Sequence, residues 1–489
     1  MNESFSVFIN AEMQRCLEEK HELTASECDA LLSGNFKEDV RAFYEDFRKD
    51  SYGATQKRII AARVVEYVTL HFDYFIIEGE FYVYRKGYYE KDGDARRCSA
   101  MKTLVRNLLP YDSRSKNLVS EVLEQLATAA KIVTFEEMNT HPDSYICFRN
   151  CVYDAKAKKT LQHSPEYRFL NQIPHDYDPD APLPNGETIE RFFSEIELSE
   201  GSRKALLTFT GLSMTTDTSL QLFLVLKGQG GSGKSTLLSL ITNVIGTDNI
   251  SSRSLDQIAG DRFAAVGVVG KLCNIFPDIK TDVTIDPTAM KYLTGEDRIN
   301  VQRKGIDAYE VKPYAKYMFS MNGYPHINAR DEAFYRRPLM IPMNKKPNIE
   351  DVELVKKLQS EVNYLLAISV KALEAWYEHP DKEALITEET RKMRLEWQRK
   401  GDVVAAWIAD KKPFESVDRI RNTEAYESFY GYCVDEGRES LKKENFYDSL
   451  RSKGYDVDAT LNGYRYIRNP FFKGERKEGF QAAEDAPFT

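Results

Sequence analysis

An eight-residue run, Gly228, Gln229, Gly230, Gly231, Ser232, Gly233, Lys234 and Ser235, satisfies the pattern G-x-x-x-x-G-K-[ST] in full. The chemistry this spacing serves is the grip on a nucleoside triphosphate. Four glycines let the backbone curl so that successive N–H groups face phosphate oxygens. Lys234 is placed to reach the β- and γ-phosphates, and the Ser235 hydroxyl to complete a magnesium shell. Thr236 extends the binding stretch. The plain alternative is a glycine-rich surface turn with an incidental lysine, and the flanks speak against it. Leu222–Leu226 is a short continuous apolar run of the kind a buried strand needs, and Thr236–Ile241 has helical character. A helix start adds its partial positive charge at the same point. ATP with Mg2+ is the expected ligand pair.

Hydrolysis needs further groups: a carboxylate near the metal, a polar sensor of the γ-phosphate and a cation for transition-state charge. Val268–Phe276 reads as a second strand ending at Pro277 and Asp278. Asp278 is the candidate carboxylate, for metal or attacking water, with a plain N-cap as the competing role. Ala315–Met321 reads as a third strand ending at Asn322, a candidate sensor or an ordinary turn residue. Arg336 and Arg337 precede the apolar run Pro338–Pro342 and are candidates for a guanidinium entering a neighbouring subunit's site, or a solvated surface pair.

The elements that must position these groups belong to a large chain. Its 489 residues are about three times a ~150-residue domain, so two to four domains are expected. The apolar fraction of 42% and charged fraction of 29% are ordinary for a globular protein. No stretch approaches the ~20 apolar residues of a membrane span, and the polar amino terminus lacks a signal-peptide core. Seven scattered cysteines argue for reduced thiols. The net charge of −9 neither excludes nor proves a DNA partner, because contacts can occupy a small basic channel on an acidic body. Residues 441–477 carry nine Lys or Arg against five acids.

Residues 1–50 read as helical, 72–91 as short strands turning at Gly79 and Gly87, and 98–130 as helical again. Small strands are expected at Ile146–Val152 and Lys159–Leu161. The proline-rich stretch 173–187 reads as a linker. An N-terminal α/β domain is therefore expected over 1–190, a nucleotide-binding α/β domain over 191–395, and a third domain over 396–489.

Within the middle domain the order of elements resembles the helicase core of superfamily III, an AAA+ group of viruses, phages and plasmids. More closely it is similar to the phage/plasmid and poxvirus-type primase-helicase family. The residues that carry the resemblance are the phosphate loop, the strand ending at Asp278, Lys291–Asp297 as K-x-L-T-G-x-D, Ile299–Val311, Asn322 and Arg337. The resemblance implies Lys234, Ser235 and Asp278 for ATP and magnesium, Asn322 as sensor, and Arg337 as a finger supplied in trans. It also makes 299–311 a hairpin in the channel of a hexameric ring, with Lys304 and then Arg303 touching single-stranded DNA. The family usually ends its second strand with two acids, and here Pro277 occupies the first position.

The resemblance extends upstream through Phe81–Tyr89 and Cys147–Asp154. Cys147 and Cys151, near His141 and His163, lack the paired knuckle of a zinc site. A primase would need paired carboxylates, whereas Asp176, Asp178 and Asp180 fall in the proline-rich stretch, so no primase activity is expected. The last ninety residues read as a winged helix-turn-helix. Helices are expected from Val403, over Thr423–Cys433 and over Lys442–Arg451, with a wing turning at Asn462 and Gly463. Lys442, Lys443 and Asn445 would reach DNA from the third helix, and Arg465 and Arg468 would lie on the wing, though such folds also bind proteins.

The expectation is thus a multidomain α+β chain with an AAA+ P-loop core, a mixed α/β N-terminal domain and a C-terminal winged helix. It would be a cytoplasmic replicative DNA helicase of a bacterial or phage-infected cell, a homo-hexamer moving in the 3′-to-5′ sense that the resemblance implies. Origin DNA and replication proteins would be further partners. The alternative is an ATP-regulated DNA-binding protein that hydrolyses ATP without unwinding.

Overall fold

The computed structural model describes residues 3–472 apart from 34–35, 49–58, 255–256, 259–264, 280–283, 286, 296, 303–307, 328–331, 347–352, 416, 437–439, 462 and 471. The chain is a mixed α/β, multi-unit protein organised around a parallel sheet. No helix among the described residues is long and apolar enough to cross a membrane.

The N-terminal unit opens with helices α1 (Glu3–Glu19), α2 (Ala25–Ser33), α3 (Lys37–Asp46) and α4 (Ala61–His71). An antiparallel meander follows, β1 (Tyr74–Ile77), β2 (Glu80–Arg85) and β3 (Tyr88–Gly93), and then α5 (Ala100–Leu108) and α6 (Lys116–Ala129). The turns at Gly79 and Gly87 have φ of +74° and +98°, a backbone region that glycine enters without strain. Phe81 and Val83 pack on the helices, while Ile77, Tyr82 and Tyr89 form a second small core on the other side of the meander.

A second antiparallel sheet, β4 (Tyr145–Cys147), β5 (Val152–Asp154) and β6 (Lys159–Leu161), joins a different core. Ile146, Phe148 and Tyr153 share one continuous apolar cluster with the central parallel sheet. The stretch expected to be a linker begins by docking on that same body. The Ile173 N–H donates to the Cys147 carbonyl at 2.8 Å, and His175 Nε2 lies 2.7 Å from the Asn243 carbonyl. The Tyr177 ring stacks on Phe148 at 4.8 Å. Proline and aspartate composition marks irregular backbone correctly, but the buried Ile173 and Tyr177 make it adhesive rather than free.

Helices α7 (Glu187–Glu195) and α8 (Glu200–Leu212) lead into β7 (Phe223–Lys227), followed by α9 (Lys234–Ile245) and β8 (Ile250–Ser251). Next come β9 (Cys273–Ile279), β10 (Thr284–Ile285), β11 (Ile299–Val301), β12 (Tyr309–Val311), β13 (Lys316–Met321), β14 (His326–Ile327) and β15 (Pro338–Pro342). The central sheet has the order β15–β7–β13–β9–β8, all neighbours parallel. Its strands are continuous apolar runs because both faces are covered. Leu224, Leu226, Met318, Leu339 and Ile341 pack on one side, with α8, α9 and the helix Val362–Glu378. Phe223, Val225, Tyr317, Phe319 and Met340 pack on the other, with Met290, Phe334 and Trp397. One strand boundary differs from expectation. Val266–Val268 forms a 3₁₀ turn that leaves through Gly270 at φ +72°, so β9 starts at Cys273 and runs past Pro277.

The C-terminal unit has its own core around Trp407, Phe429, Phe446, Val457 and Ile467. Helices Val403–Lys411, Asn422–Asp435 and Lys443–Ser452 pack against a sheet of β16 (Arg419–Arg421), β17 (Asp456–Leu461) and β18 (Tyr464–Arg468), in the order β16–β18–β17. Strand β16 was not anticipated.

Candidate active site

In a parallel sheet the C-terminal strand ends open onto one rim, and here three of them meet around a single lysine. The chain leaves β7 at Lys227, turns through 228–233 and enters α9 at Lys234. Gly231 and Gly233 have φ of +80° and +84°, so the curl rests on residues without a Cβ. The Gly228 N–H donates to the Met321 carbonyl at 3.2 Å and the Met343 N–H to the Lys227 carbonyl at 2.7 Å, tying the loop to the ends of β13 and β15. A Cβ on Gly228 would sit 1.8 Å from the Met343 carbonyl oxygen. Gly228→Ala should therefore lower stability by about 1–3 kcal/mol, the usual size of overpacking, and weaken ATP binding with it. Thermal melting with and without nucleotide measures both.

Lys234 is buried, 8% exposed. Its ammonium donates to the carbonyls of Gly228 and Gln229, both at 2.8 Å, and to Asn322 Oδ1 at 3.0 Å, with Ser232 Oγ at 3.4 Å. Burial lowers its pKa, and the Asp278 carboxylate pulls the other way. Asn322, just past β13, points its amide nitrogen at Asp278 Oδ1, 3.5 Å away. Lys234, Asn322 and Asp278 thus form one polar chain across the ends of β7, β13 and β9. Ser235 is exposed in the first turn of α9 and Thr236 half-buried. The donor set suits a triphosphate with magnesium: backbone N–H groups of a glycine loop, a buried cation, an exposed hydroxyl and an exposed carboxylate. Magnesium commonly takes only one or two protein ligands and completes its shell with phosphates and water.

Asp278 is held unusually. Its φ is +68°, left-handed for a non-glycine residue, and its N–H donates to Ser320 Oγ at 3.0 Å. Opposite β13 the register slips, since Phe276 pairs with Phe319 but Ile279 pairs with Met321.

Arg337 stands at the other rim. Pro338 is in register with Phe223, the first residue of β7, whereas the loop follows the last, Lys227. Four residue steps at about 3.3 Å separate the two by roughly 13 Å along the strand. The Arg337 Nε donates to Thr294 Oγ1 at 3.0 Å, linking it to the K-x-L-T-G-x-D segment, while Arg336 is exposed.

Strands β11 and β12 pair antiparallel, Ile299 with Val311 and Val301 with Tyr309, as a hairpin requires. Arg303 and Lys304 lie outside the described residues. The hairpin base leans on the N-terminal unit: Arg298 pairs with Glu136 at 2.6 Å, and Tyr309 stacks on Phe135 at 6.4 Å. In the C-terminal unit Lys442, Lys443, Asn445 and Arg465 are exposed, the first three at the start of the helix Lys443–Ser452. The Lys443 ammonium lies 5.4 Å from the Tyr426 ring centre. Cys147 and Cys151 are buried free thiols.

Three features escaped sequence reasoning. Ser320 is one. Lys346 is the second: its Cε lies 3.6 Å from where a Cβ of Gly231 would be, so a second lysine overhangs the loop. The third is the outer face of the C-terminal sheet, where register and alternation bring Arg419, Arg421, Tyr464 and Tyr466 beside Arg468, which was expected on the wing. Arg421 lies over the Tyr464 ring at 4.3 Å. The sequence signals were two lysines one residue past an apolar run and the alternation in Arg419–Arg421 and Tyr464–Arg468.

Two family profiles match the chain. The one described as "D5 N terminal like" covers residues 61–196, and a "Family of unknown function (DUF5906)" covers 226–337, from the phosphate loop to Arg337. Among curated proteins, "Putative helicase 184R" of Invertebrate iridescent virus 6 is 24% identical over 233 residues, 44% of this chain and 24% of the relative. "Putative helicase L207/L206" of Acanthamoeba polyphaga mimivirus is 26% identical over 239 residues, 46% of this chain and 24% of the relative. The aligned span is thus about a quarter of the length of either relative. Among solved structures, the apo C-terminal region of NrS-1 overlays with a TM-score of 0.49 at 11% identity, covering 83% of this chain and 98% of that one. With a D5-type region ahead of its phosphate-loop unit and viral relatives named as helicases, the chain is similar to phage and viral primase-helicases.

Proposed function

We propose that the protein is an ATP-dependent replicative DNA helicase, built on an AAA+ core that assembles head to tail into a ring, a homo-hexamer. The observation that carries this reading is the convergence of Lys234, Asn322 and Asp278 at the ends of three adjacent parallel strands. Lys234 and the 228–233 backbone would hold the phosphates of ATP, and Ser235 with Asp278 would hold Mg2+, whose charge neutralises the β- and γ-oxygens. Asn322 would hydrogen-bond the γ-phosphate or the attacking water, and its bond to Lys234 would couple that contact to the loop. Arg337, on the rim away from its own loop, would serve the site of the next subunit.

The 299–311 hairpin would carry the strand through the ring, in the 3′-to-5′ sense that the family resemblance implies. The C-terminal unit would be a winged helix reading origin DNA. Two lysines at a helix start oppose the helix dipole, a local cost that a phosphate backbone would remove. Such a chain suits initiation of replication on a phage, plasmid or mobile genetic island, inside a bacterial or phage-infected cell, alongside other replication proteins.

The test is ATP turnover and strand separation on forked DNA, with electron microscopy of the ring. Lys304→Ala should abolish unwinding while leaving most ATP turnover intact. Unwinding at the original rate would instead favour the ATP-regulated DNA-binding protein.

A further inference from the structure

The family position that usually holds a first acid holds Pro277 here, and the structure gives that proline a use. Strand β9 lies between β13 and β8, where proline is normally excluded because it cannot donate to the ladder. On the β8 side, however, pairing stops at Asn274. On the β13 side Pro277 and Asp278 together stand opposite the single residue Ser320, which is a β-bulge. The bulge reverses side-chain parity. Ile275 packs on one face of the sheet, and Phe276 and Ile279 both pack on the other, although residues three apart in an unbroken strand point to opposite faces. The two residues between them are pushed out to the rim, where both are exposed. Asp278 can then take its left-handed conformation, which aspartate tolerates better than most residues. Its N–H, turned away from the ladder, is met by the hydroxyl of Ser320, itself 1% exposed.

We infer that Pro277 and Ser320 form a built-in aiming device in which the proline-bearing bulge throws the lone carboxylate toward Asn322 and Lys234 and the Ser320 hydroxyl locks it there. Ser320 is a positioning residue, acting through Asp278 rather than on nucleotide. The inference rests on the reading of Asp278 as the carboxylate for metal or attacking water. It explains how a single acid serves at this strand end: a fixed direction replaces a second charge.

The experiment compares Ser320→Ala, Ser320→Thr and Asp278→Asn in the full chain, by ATP turnover against ATP and Mg2+ concentration and by thermal melting. Ser320→Ala is expected to lower kcat about 10- to 100-fold, the usual effect of losing a partner behind a metal ligand. KM for ATP should stay within about twofold, since the phosphate cradle is untouched, and the Mg2+ needed for half-maximal turnover should rise. Ser320→Thr keeps the hydroxyl and should restore most of the rate. Wild-type turnover and Mg2+ dependence in Ser320→Ala, with Asp278→Asn inactive, would overturn the aiming role alone. Equal losses in the alanine and threonine variants, with lowered melting temperatures, would overturn it too, by reducing Ser320 to packing. Wild-type turnover in Asp278→Asn would instead remove the reading of Asp278 on which the inference stands.

Discussion

Arg337→Ala should cut ATP turnover by about 10³–10⁵-fold, the range for a guanidinium that neutralises charge on a transferring phosphoryl group. ATP binding should change little. The reason is positional. Arg337 sits at the start of β15 and the phosphate loop at the end of β7, so the two belong to opposite rims of the same sheet. Within one subunit they cannot meet, and across a head-to-tail boundary they can. The decisive measurement mixes Arg337→Ala subunits with Lys234→Ala subunits. Neither is active alone, but a boundary that takes its loop from the first and its arginine from the second is complete. An equal mixture should recover up to about a quarter of wild-type turnover, because about a quarter of random boundaries are of that kind. No recovery would show that Arg337 acts only through its own chain, as its bond to Thr294 alone would allow.

Lys234→Ala should remove ATP binding and turnover together. The ammonium is nearly out of water and already surrounded by the carbonyl oxygens of Gly228 and Gln229 and the Asn322 amide oxygen. Deleting a buried, hydrogen-bonded charge typically costs about 2–5 kcal/mol, or roughly 30- to 5,000-fold in affinity. Fluorescent-nucleotide titration should therefore show binding driven out of the micromolar range. The loop carbonyls lose their donor as well, so a lower melting temperature is expected without nucleotide. An unchanged melt with full turnover would mean that the loop is a surface turn after all.

How far the fold could be read from the sequence depended on how locally each feature is encoded. Strands β7 and β13 were visible, and β15 stood out as an apolar run, because burial on both faces makes each unbroken. Strand β9 was started too early because Val268 and Val269 are apolar too, and only Gly270 at φ +72° shows that they belong to a turn. Strand β16 has one apolar residue between two arginines, too little pattern to register. The same holds for the site. Lys234, Asp278 and Asn322 follow apolar runs and could be named in advance. Ser320 and Lys346 matter only because of which strands are neighbours, and strand order is not written in local spacing. The bulge at Pro277 was visible as an oddity, but its meaning required the partner strand.

The β4–β6 sheet shares its apolar interior with the parallel sheet, and Ile173 and Tyr177 fasten the following stretch to it. The proline-rich stretch is therefore no seam between units, and the β1–β3 sheet ahead of it is fastened forward as well, the Tyr89 N–H donating to the Phe169 carbonyl at 2.7 Å. Splicing there would leave the parallel-sheet unit with a torn flank, greasy and prone to clump.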